Sequence, residues 1–312
     1  MQLLLYGGLF IFGLMLIIKG GDLFVDAAVW LARVSNIPPV IVGATVVSLA
    51  TTLPELLVSL LAAAQGKAGL AIGNAVGSVT ANLGLILSAA IFFAPFHIRR
   101  QEYWYRGLLM VAAVTVLLFF SKSGTLSISG SLLLLGIYML SVWDSICGAR
   151  KELASTTQQA GLRELPQNTG KFLLGIGGIL WGARLLVRNG SALALLLGVP
   201  ESVVGVTLVA VGTSLPELVT AITALSKGEG ALSVGNILGA NLIDTTLILP
   251  LCTLISGHSL VFSTQSLLLD LPVCLLMALI AVLPALLRER FSRAQGALML
   301  GLYLGYLVLV IA

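Results

Sequence analysis

Two glutamates lie near the middle of long apolar stretches of this 312-residue chain. Glu55 ends the run Thr-Thr-Leu-Pro-Glu, and Glu217 ends the similar run Thr-Ser-Leu-Pro-Glu. A charge at the centre of a membrane helix costs about 2.5 to 3.5 kcal/mol on insertion scales, so two copies in matched surroundings favour a functional site over chance. We expect the two carboxylates to face each other.

Hydroxyl and carbonyl oxygens accompany each glutamate. Thr51 and Thr213 precede their glutamates by four residues, which places hydroxyl and carboxylate on one helix face. The proline directly before each glutamate removes an amide donor, so carbonyls near Ser48 to Thr51 and Ala210 to Thr213 lose their usual partners. Unwound backbone at membrane depth is tolerated where it lines a cavity or binds an ion.

The apolar stretch that follows each glutamate supplies further oxygen atoms. Ser78 and Asn82 are four residues apart on one helix face, and Asp244 takes the place of Asn82 in the second copy. Calcium binds about six to eight oxygens, whereas zinc and copper prefer nitrogen or sulfur, so this set of donors suits a hard cation. The alternative, that the glutamates only hold helices together, lacks a basic partner in the same stretches.

The composition places this site in a membrane protein. Hydrophobic residues make up 58% of the chain and charged residues 10%, and the mean hydropathy is +1.07. The 17 Lys and Arg residues are scattered singly or in pairs, which argues against a nucleic-acid partner. The three cysteines are odd in number and lie in apolar stretches, so we predict no disulfide framework and no cysteine zinc site.

Ten apolar segments are long enough to cross a bilayer, for which about 20 residues are needed. They cover about residues 3–32, 40–64, 69–95, 104–121, 126–148, 171–195, 202–226, 231–255, 260–287 and 294–312. The only long polar connection divides the chain, so we predict a first five-helix repeat (1–148), a cytoplasmic linker (149–170) and a second five-helix repeat (171–312).

Charge bias predicts the orientation. Twelve Lys and Arg residues fall on the odd-numbered connections and their flanks, and three fall on the other side. The positive-inside rule therefore places the odd-numbered connections in the cytoplasm and both termini outside it. We expect a multi-pass protein of the cell (inner) membrane with the lipid bilayer as its surroundings.

An internal repeat connects the two halves. Shifting the chain by 162 residues superimposes Gly43–Asn82 on Gly205–Asp244 without a gap, and the shared residues include Pro, Glu, Thr and Asn. An odd number of spans in each half means that the second half enters the membrane from the opposite side, as in many secondary transporters. The predicted fold is all-α, with ten transmembrane helices in two inverted five-helix repeats.

These motifs resemble those of the calcium/cation antiporter superfamily, most closely its sodium/calcium exchanger branch. The resemblance covers nearly the whole chain, including Gly-Gly-Asp-Leu at 20–23 and Gly-Ala-Arg-Leu at 182–185, and the regions 43–82 and 205–244 look like the paired alpha repeats of that family. It implies a prokaryotic antiporter, not an enzyme, that exchanges Na⁺ for Ca²⁺ by alternating access. Both ions are transported substrates, and the resemblance implies no cofactor and no obligatory protein partner.

The resemblance also implies the ligands. Calcium would be bound by Glu55 and Glu217 with the carbonyls of Thr51 and Thr213. One sodium site would contain Thr51, Thr52, Glu55 and the Ser48 carbonyl, and the other Ser78, Thr213, Ser214, Glu217 and the Ala210 carbonyl. Asn82 and Asp244 would complete the central cluster.

Three positions depart from the pattern of the family. The first copy reads Ala-Thr-Thr at 50–52 where the family usually has Gly-Thr-Ser, which keeps the hydroxyl. Ala240 stands where the second copy should offer a serine, so the Thr51–Thr52 sodium site lacks one side-chain ligand. Asp244 resembles the potassium-dependent branch, although some potassium-independent prokaryotic relatives share it.

Other functions remain as alternatives. Proton-coupled calcium exchange is compatible with carboxylates, which can also release protons. A passive cation channel is disfavoured because an enclosed site of two or three carboxylates suits tight binding better than rapid exit. An intramembrane hydrolase is disfavoured because neither Gly-x-Ser-x-Gly nor His-Glu-x-x-His is present.

Three further expectations concern charged residues outside the site. Asp22 and Arg184 occupy equivalent repeat positions, and a long arginine could reach the aspartate if the first and sixth spans cross. Asp144 and Asp270 lie near predicted span ends, where contact with water accounts for them.

Overall fold

The computed structural model describes residues 2–153, 164–196 and 214–311, which form eleven helices and two short strands. The helices are α1 Gln2–Ser35, α2 Pro39–Thr51, α3 Leu53–Ala64, α4 Ala68–Phe93, α5 Arg100–Ser121, α6 Ile128–Leu153, α7 Leu165–Leu196, α8 Leu215–Ser226, α9 Gly230–Ser256, α10 Ser266–Arg288 and α11 Arg293–Ile311. The strands are β1 Thr125–Leu126 and β2 Leu260–Val261.

The prediction of an all-α membrane protein is confirmed. Within the described ranges, eight helices are long and apolar enough to span a membrane, and the bent pair α2 and α3 makes a ninth if it counts as one span. Of the predicted seventh span, only α8 is described, because residues 197–213 lie outside the described residues. The predicted linker is helical at both described ends, since α6 continues to Leu153 and α7 begins at Leu165.

Breaks in the helices occur at matching positions of the two halves. The chain bends by 49° between α2 and α3, where Thr52 adopts φ −83° and ψ 2°. Ser214 adopts φ −87° and ψ 7° directly before α8. A wide π-helical turn begins at Asn82 in α4 and at Asp244 in α9. Each pair is separated by 162 residues, so the sequence repeat is also a repeat of backbone conformation.

The long helices α1 and α7 pack against each other through glycines. A Cβ atom on Gly20 would lie 2.8 Å from the Gly175 carbonyl oxygen, and one on Gly182 would lie 2.7 Å from the Gly13 carbonyl oxygen. Side chains at these positions would force the helices apart, so the glycines permit the close approach.

Connections that are distant in sequence touch each other. His97, between α4 and α5, forms a β-bridge with Arg290, between α10 and α11. β1, between α5 and α6, pairs antiparallel with β2, between α9 and α10. The last turn of α1 and the connection after α8 are joined by a 3.6 Å ion pair between Arg33 and Glu229.

The expected pairing of Asp22 with Arg184 is wrong. Asp22 instead pairs with Lys227 at 3.4 Å, and Lys227 also pairs with Asp26 at 2.7 Å. Lys227 lies directly after α8, so the bridge connects α1 to the second half of the chain. Arg184 is exposed and makes no ion pair within the described residues.

The two aspartates near span ends differ in their contact with water. Asp144 on α6 keeps a side chain that is 34% exposed and also forms a 2.7 Å ion pair with the buried Arg106 of α5. Asp270 on α10 is buried and accepts a 3.0 Å hydrogen bond from the Tyr306 hydroxyl of α11, so water does not account for it. Both aspartates join neighbouring helices, because the buried Arg106 and the buried Asp270 each need a partner.

Candidate cation site

Three carboxylates meet at the centre of the molecule. Glu55 in the first turn of α3 and Glu217 in the first turn of α8 are each 1% exposed, and Asp244 at the π-helical turn of α9 is fully buried. Glu55 lies within electrostatic range of both other carboxylates, and Asp244 within range of Glu217. The 49° bend between α2 and α3 explains the position of Glu55, because it turns the first residues of α3 toward the middle of the protein.

The two halves exchange contacts at this site. The Thr52 hydroxyl donates to Oε1 of Glu217 at 3.1 Å, so a hydroxyl of the first repeat is hydrogen-bonded to a carboxylate of the second. The Thr51 hydroxyl donates to Oδ1 of Asn236 at 3.2 Å and to the Ser48 carbonyl at 3.3 Å. The sequence grouped Thr52 with Glu55, whereas the structure places its hydroxyl on Glu217.

Backbone carbonyls at the first break differ in availability. The Ser48 carbonyl accepts the Thr52 N–H at 2.9 Å, and the Thr52 carbonyl accepts the Leu56 N–H at 3.0 Å. These are the backbone hydrogen bonds that cross the break within the described residues. The Thr51 carbonyl receives none of them and is therefore freer to bind a cation than the Ser48 carbonyl.

The site is supported by two asparagines to which the sequence analysis assigned no role. Nδ2 of Asn74 donates to the Glu55 carbonyl at 3.1 Å and to the Ser59 hydroxyl at 2.9 Å, which fixes the backbone of the first glutamate. Asn236, 162 residues later, holds the Thr51 hydroxyl. Their identity in the two repeats was the available signal.

Asn82 is held by a buried amide contact with α9. Its Nδ2 donates to Oδ1 of Asn241 at 3.0 Å, and Nδ2 of Asn241 approaches the Met110 sulfur at 3.5 Å. All three side chains are buried. Asn241 and Met110 were not predicted, because the residue equivalent to Asn241 in the first copy is Val79 and Met110 lies outside the repeat.

Several buried oxygens of the site lack a hydrogen-bond partner among the described residues. They are both carboxylate oxygens of Glu55, both of Asp244, Oε2 of Glu217, Oδ1 of Asn82 and the Ser214 hydroxyl. Buried polar atoms are normally paired, so such a concentration indicates a place for a ligand. No three His, Cys, Asp or Glu side chains of the described residues converge closely enough to hold a metal ion by themselves, so hydroxyl, amide or carbonyl oxygens must complete any such site.

The remaining predicted ligands fall into two groups. Ser78 is buried beside the cluster on α4, one helical turn before Asn82. Thr213 and Ala210 lie outside the described residues, and their predicted roles stay predictions.

Glycines allow α2 to approach α9 at the site. A Cβ on Gly235 would lie 2.2 Å from the Val40 carbonyl oxygen, and one on Gly239 would lie 2.6 Å from the Ala44 carbonyl oxygen. Backbone atoms cannot move aside at such distances, so α2 and α9 can pack this closely only with glycine at both positions.

Fold and site together define a helical membrane protein with a buried cluster of carboxylate, amide and hydroxyl oxygens at its centre. A family model described as sodium/calcium exchanger protein matches residues 5–146 and 168–312, and the chain belongs to this family. The resemblance stated from the sequence is confirmed. The family is one of transporters, and its exchangers carry Na⁺ and Ca²⁺ as substrates.

Individual relatives match over almost their full length. The inner membrane protein YrbG of Escherichia coli (strain K12) is 36% identical, with 99% of this chain and 97% of the relative covered. The sodium/calcium exchanger MaX1 of Methanosarcina acetivorans is 29% identical, with 96% of each chain covered. A structure of the sodium-calcium exchanger NCX_Mj soaked with Na⁺ and Sr²⁺ superimposes with a TM-score of 0.87 at 28% identity, covering 98% of this chain and 99% of the other.

Proposed function

We propose that this protein is a secondary active antiporter that exchanges Na⁺ for Ca²⁺ across a cell membrane by alternating access. The observation that carries the proposal is the cluster of Glu55, Glu217 and Asp244, fully buried and rich in oxygens without partners. Membership of the sodium/calcium exchanger family and the likeness to NCX_Mj support a cation/calcium antiporter, and the choice of Na⁺ as the coupling ion is the finer part of the proposal.

The two glutamates would supply the charge that a divalent ion requires. Glu55 and Glu217 come from opposite halves, so a calcium ion between them would hold α3 and α8 together with the Thr51 and Thr213 carbonyls as further ligands. Sodium would use the hydroxyls near each glutamate, namely Thr51, Thr52, Ser78, Thr213 and Ser214, with the Ser48 and Ala210 carbonyls. Asn82 and Asp244 would complete the centre.

Contacts between connections support ten spans. The connections around His97 and Arg290 touch, and so do those that carry β1 and β2, so each pair must lie on one side of the membrane. Two connections on the same side must be separated by an even number of membrane crossings. The number is even for each pair only if the segment that contains α8 crosses the membrane. The ion pair between Arg33 and Glu229 then requires that the bent pair α2 and α3 also crosses once. Five spans in each half would invert the second half relative to the first.

The same contacts support the predicted orientation. With ten crossings, the connections after α1, α4, α8 and α10 would lie on one face, which carries the excess of basic residues and would be cytoplasmic. Both termini would then lie outside the cytoplasm, as expected for an inner-membrane protein with repeats at 1–148 and 171–312 and a cytoplasmic linker between them.

An asymmetry between equivalent contacts supports alternating access. On the predicted cytoplasmic side, a Cβ on Gly21 of α1 would lie 2.8 Å from Val219 and 2.9 Å from Thr223 of α8, so the two helices touch there. The residues 162 positions before Val219 and Thr223 are Leu57 and Leu61 of α3, which are 58% and 61% exposed. One side of the site is therefore closed by α1, whereas the equivalent leucines on the other side are uncovered. Exchange of these two arrangements would expose the site alternately.

Calcium flux into proteoliposomes tests the proposal. An imposed Na⁺ gradient should drive calcium transport, while a proton gradient alone should not, and added K⁺ tests whether Asp244 confers dependence on that ion. Glu55→Gln and Glu217→Gln should each abolish exchange although the protein still inserts, because the amide keeps the size of the side chain and removes its charge. Calcium flux that follows only the proton gradient would replace Na⁺ by H⁺, and normal calcium uptake by either variant would exclude the site.

A further inference from the structure

An asparagine can offer a cation either an oxygen or an N–H group, and the two differ only by a half-turn of the amide. Asn82 is the first residue of the π-helical turn in α4. Its Oδ1 is buried without a hydrogen-bond partner among the described residues, so the oxygen is the end left for the site. Something must prevent the amide from turning its N–H groups toward the carboxylates, which would accept them readily.

The contacts behind Asn82 provide that restraint. Nδ2 of Asn82 donates to Oδ1 of Asn241 at 3.0 Å, and Nδ2 of Asn241 donates to the Met110 sulfur at 3.5 Å. A thioether sulfur can accept a hydrogen bond but cannot donate one. If Asn241 turned over, its oxygen would face this sulfur and its N–H groups would face those of Asn82, and both contacts would be unfavourable. The direction of the Met110 contact therefore fixes Asn241, which fixes Asn82.

The second half of the chain explains why only one such arrangement exists. The residue equivalent to Asn82 is Asp244, whose carboxylate presents an oxygen in either orientation and needs no restraint. Correspondingly, the residue 162 positions before Asn241 is Val79, and the one 162 positions after Met110 is Pro272. The orienting pair occurs where the repeat has an amide and is missing where it has a carboxylate.

We propose that Asn241 and Met110 are positioning residues that keep the amide oxygen of Asn82 directed toward the cation site. The inference rests on the proposed function, since it assumes that Asn82 helps to bind the transported cation. Neither residue belongs to the ligand set that the sequence predicts. Both act through Asn82 and not by contact with the ion.

Asn241→Leu removes the restraint at similar volume. We expect the apparent calcium KM of proteoliposome exchange to rise about five- to thirtyfold, the range for loss of one neutral buried contact, with a smaller change in the maximal rate. Met110→Leu, a volume-conserving change, should raise the KM in the same direction but less. It carries the test if Asn241→Leu does not fold. Val79→Ala, equally buried in α4, is the control and should lower thermal stability without changing the KM.

An Asn82→Asp background separates positioning from structural support. A carboxylate at this position offers an oxygen in either orientation, so Asn241→Leu should then raise the KM by less than about twofold, a strong departure from additivity. An equal rise in both backgrounds, or an unchanged KM of both Asn241→Leu and Met110→Leu, would overturn the inference. Glu217→Gln is assayed in the same preparation: if it retains normal exchange, the proposed function fails, and if it abolishes exchange while Asn241→Leu does not affect the KM, only the present inference fails.

Discussion

Lys227 joins α1 to the end of α8 on the predicted cytoplasmic side, and its removal should shift the balance between the two access states of the proposed antiporter. Its Nζ lies 2.7 Å from Asp26 and 3.4 Å from Asp22, and it donates to the Asp22 carbonyl at 3.0 Å. The lysine side chain is 27% exposed and the two aspartates are 53% and 47% exposed. Ion pairs at such exposure contribute about 0.2 to 1 kcal/mol each, and the carbonyl contact adds a similar amount. Lys227→Gln should therefore cost the closed arrangement about 1 to 2 kcal/mol, or about five- to thirtyfold in population.

Cysteine labelling measures this change. In a chain whose own three cysteines are replaced, Thr223→Cys places a thiol in the contact between α1 and α8, where closure protects it. Lys227→Gln should raise the rate of maleimide labelling from the cytoplasmic side in proportion to the open population. Arg33→Gln is the matched control, since it also removes a positive charge that joins α1 to the connection after α8. The Arg33 side chain is largely exposed and its pair with Glu229 is 3.6 Å long, so its loss should matter less. Labelling that is unchanged, or that rises equally in both variants, would refute the reasoning.

Two other predictions concern the site and its packing. Ala240→Ser should raise the apparent affinity for Na⁺ with little effect on calcium, because it adds the hydroxyl that Ser78 provides in the first repeat. One neutral ligand corresponds to about 1 to 3 kcal/mol of binding free energy. Calcium efflux with an unchanged dependence on Na⁺ would show that the sodium site is already satisfied. Gly235→Ala should destabilise the protein by about 1 to 3 kcal/mol in thermal unfolding, because its Cβ would meet the Val40 backbone at 2.2 Å. The control Gly136→Ala has no atom within 4 Å of its Cβ and should unfold at or above the wild-type temperature; equal stability of both variants would contradict the packing argument.

The features that occur in both copies of the repeat could be predicted from the sequence. Glu55 and Glu217 stand out because carboxylates are costly in apolar segments, and the prolines before them predicted the backbone breaks. The central position of Asp244 followed from its alignment with Asn82. Hydropathy also located the spans, because the bilayer requires long apolar helices whatever their packing.

Contacts that the repeat does not duplicate could not be predicted from it. The bridge of Lys227 to α1 and the orientation of Asn82 by Asn241 depend on residues whose equivalents 162 positions away are of another type, namely Gln65 for Lys227 and Val79 for Asn241. The π-helical turns escaped prediction because one extra residue in a turn leaves the hydropathy of a span unchanged. Asp270 was misjudged, and the partner of Asp144 was missed, because distance from the span ends does not reveal the tyrosine and the arginine that neighbouring helices bring to them.

The three unpaired carboxylates also bear on leakage. Like charges repel strongly in a medium of low dielectric constant, and Glu55, Glu217 and Asp244 are all removed from water. Closing both sides over this cluster without a cation between the carboxylates would be costly, so the unloaded protein should change sides slowly. A carrier that reorients only when loaded ties the inward movement of one cation to the outward movement of another. In the proposed antiporter, the burial of these carboxylates would then also prevent the sodium gradient from running down when no calcium is available to move.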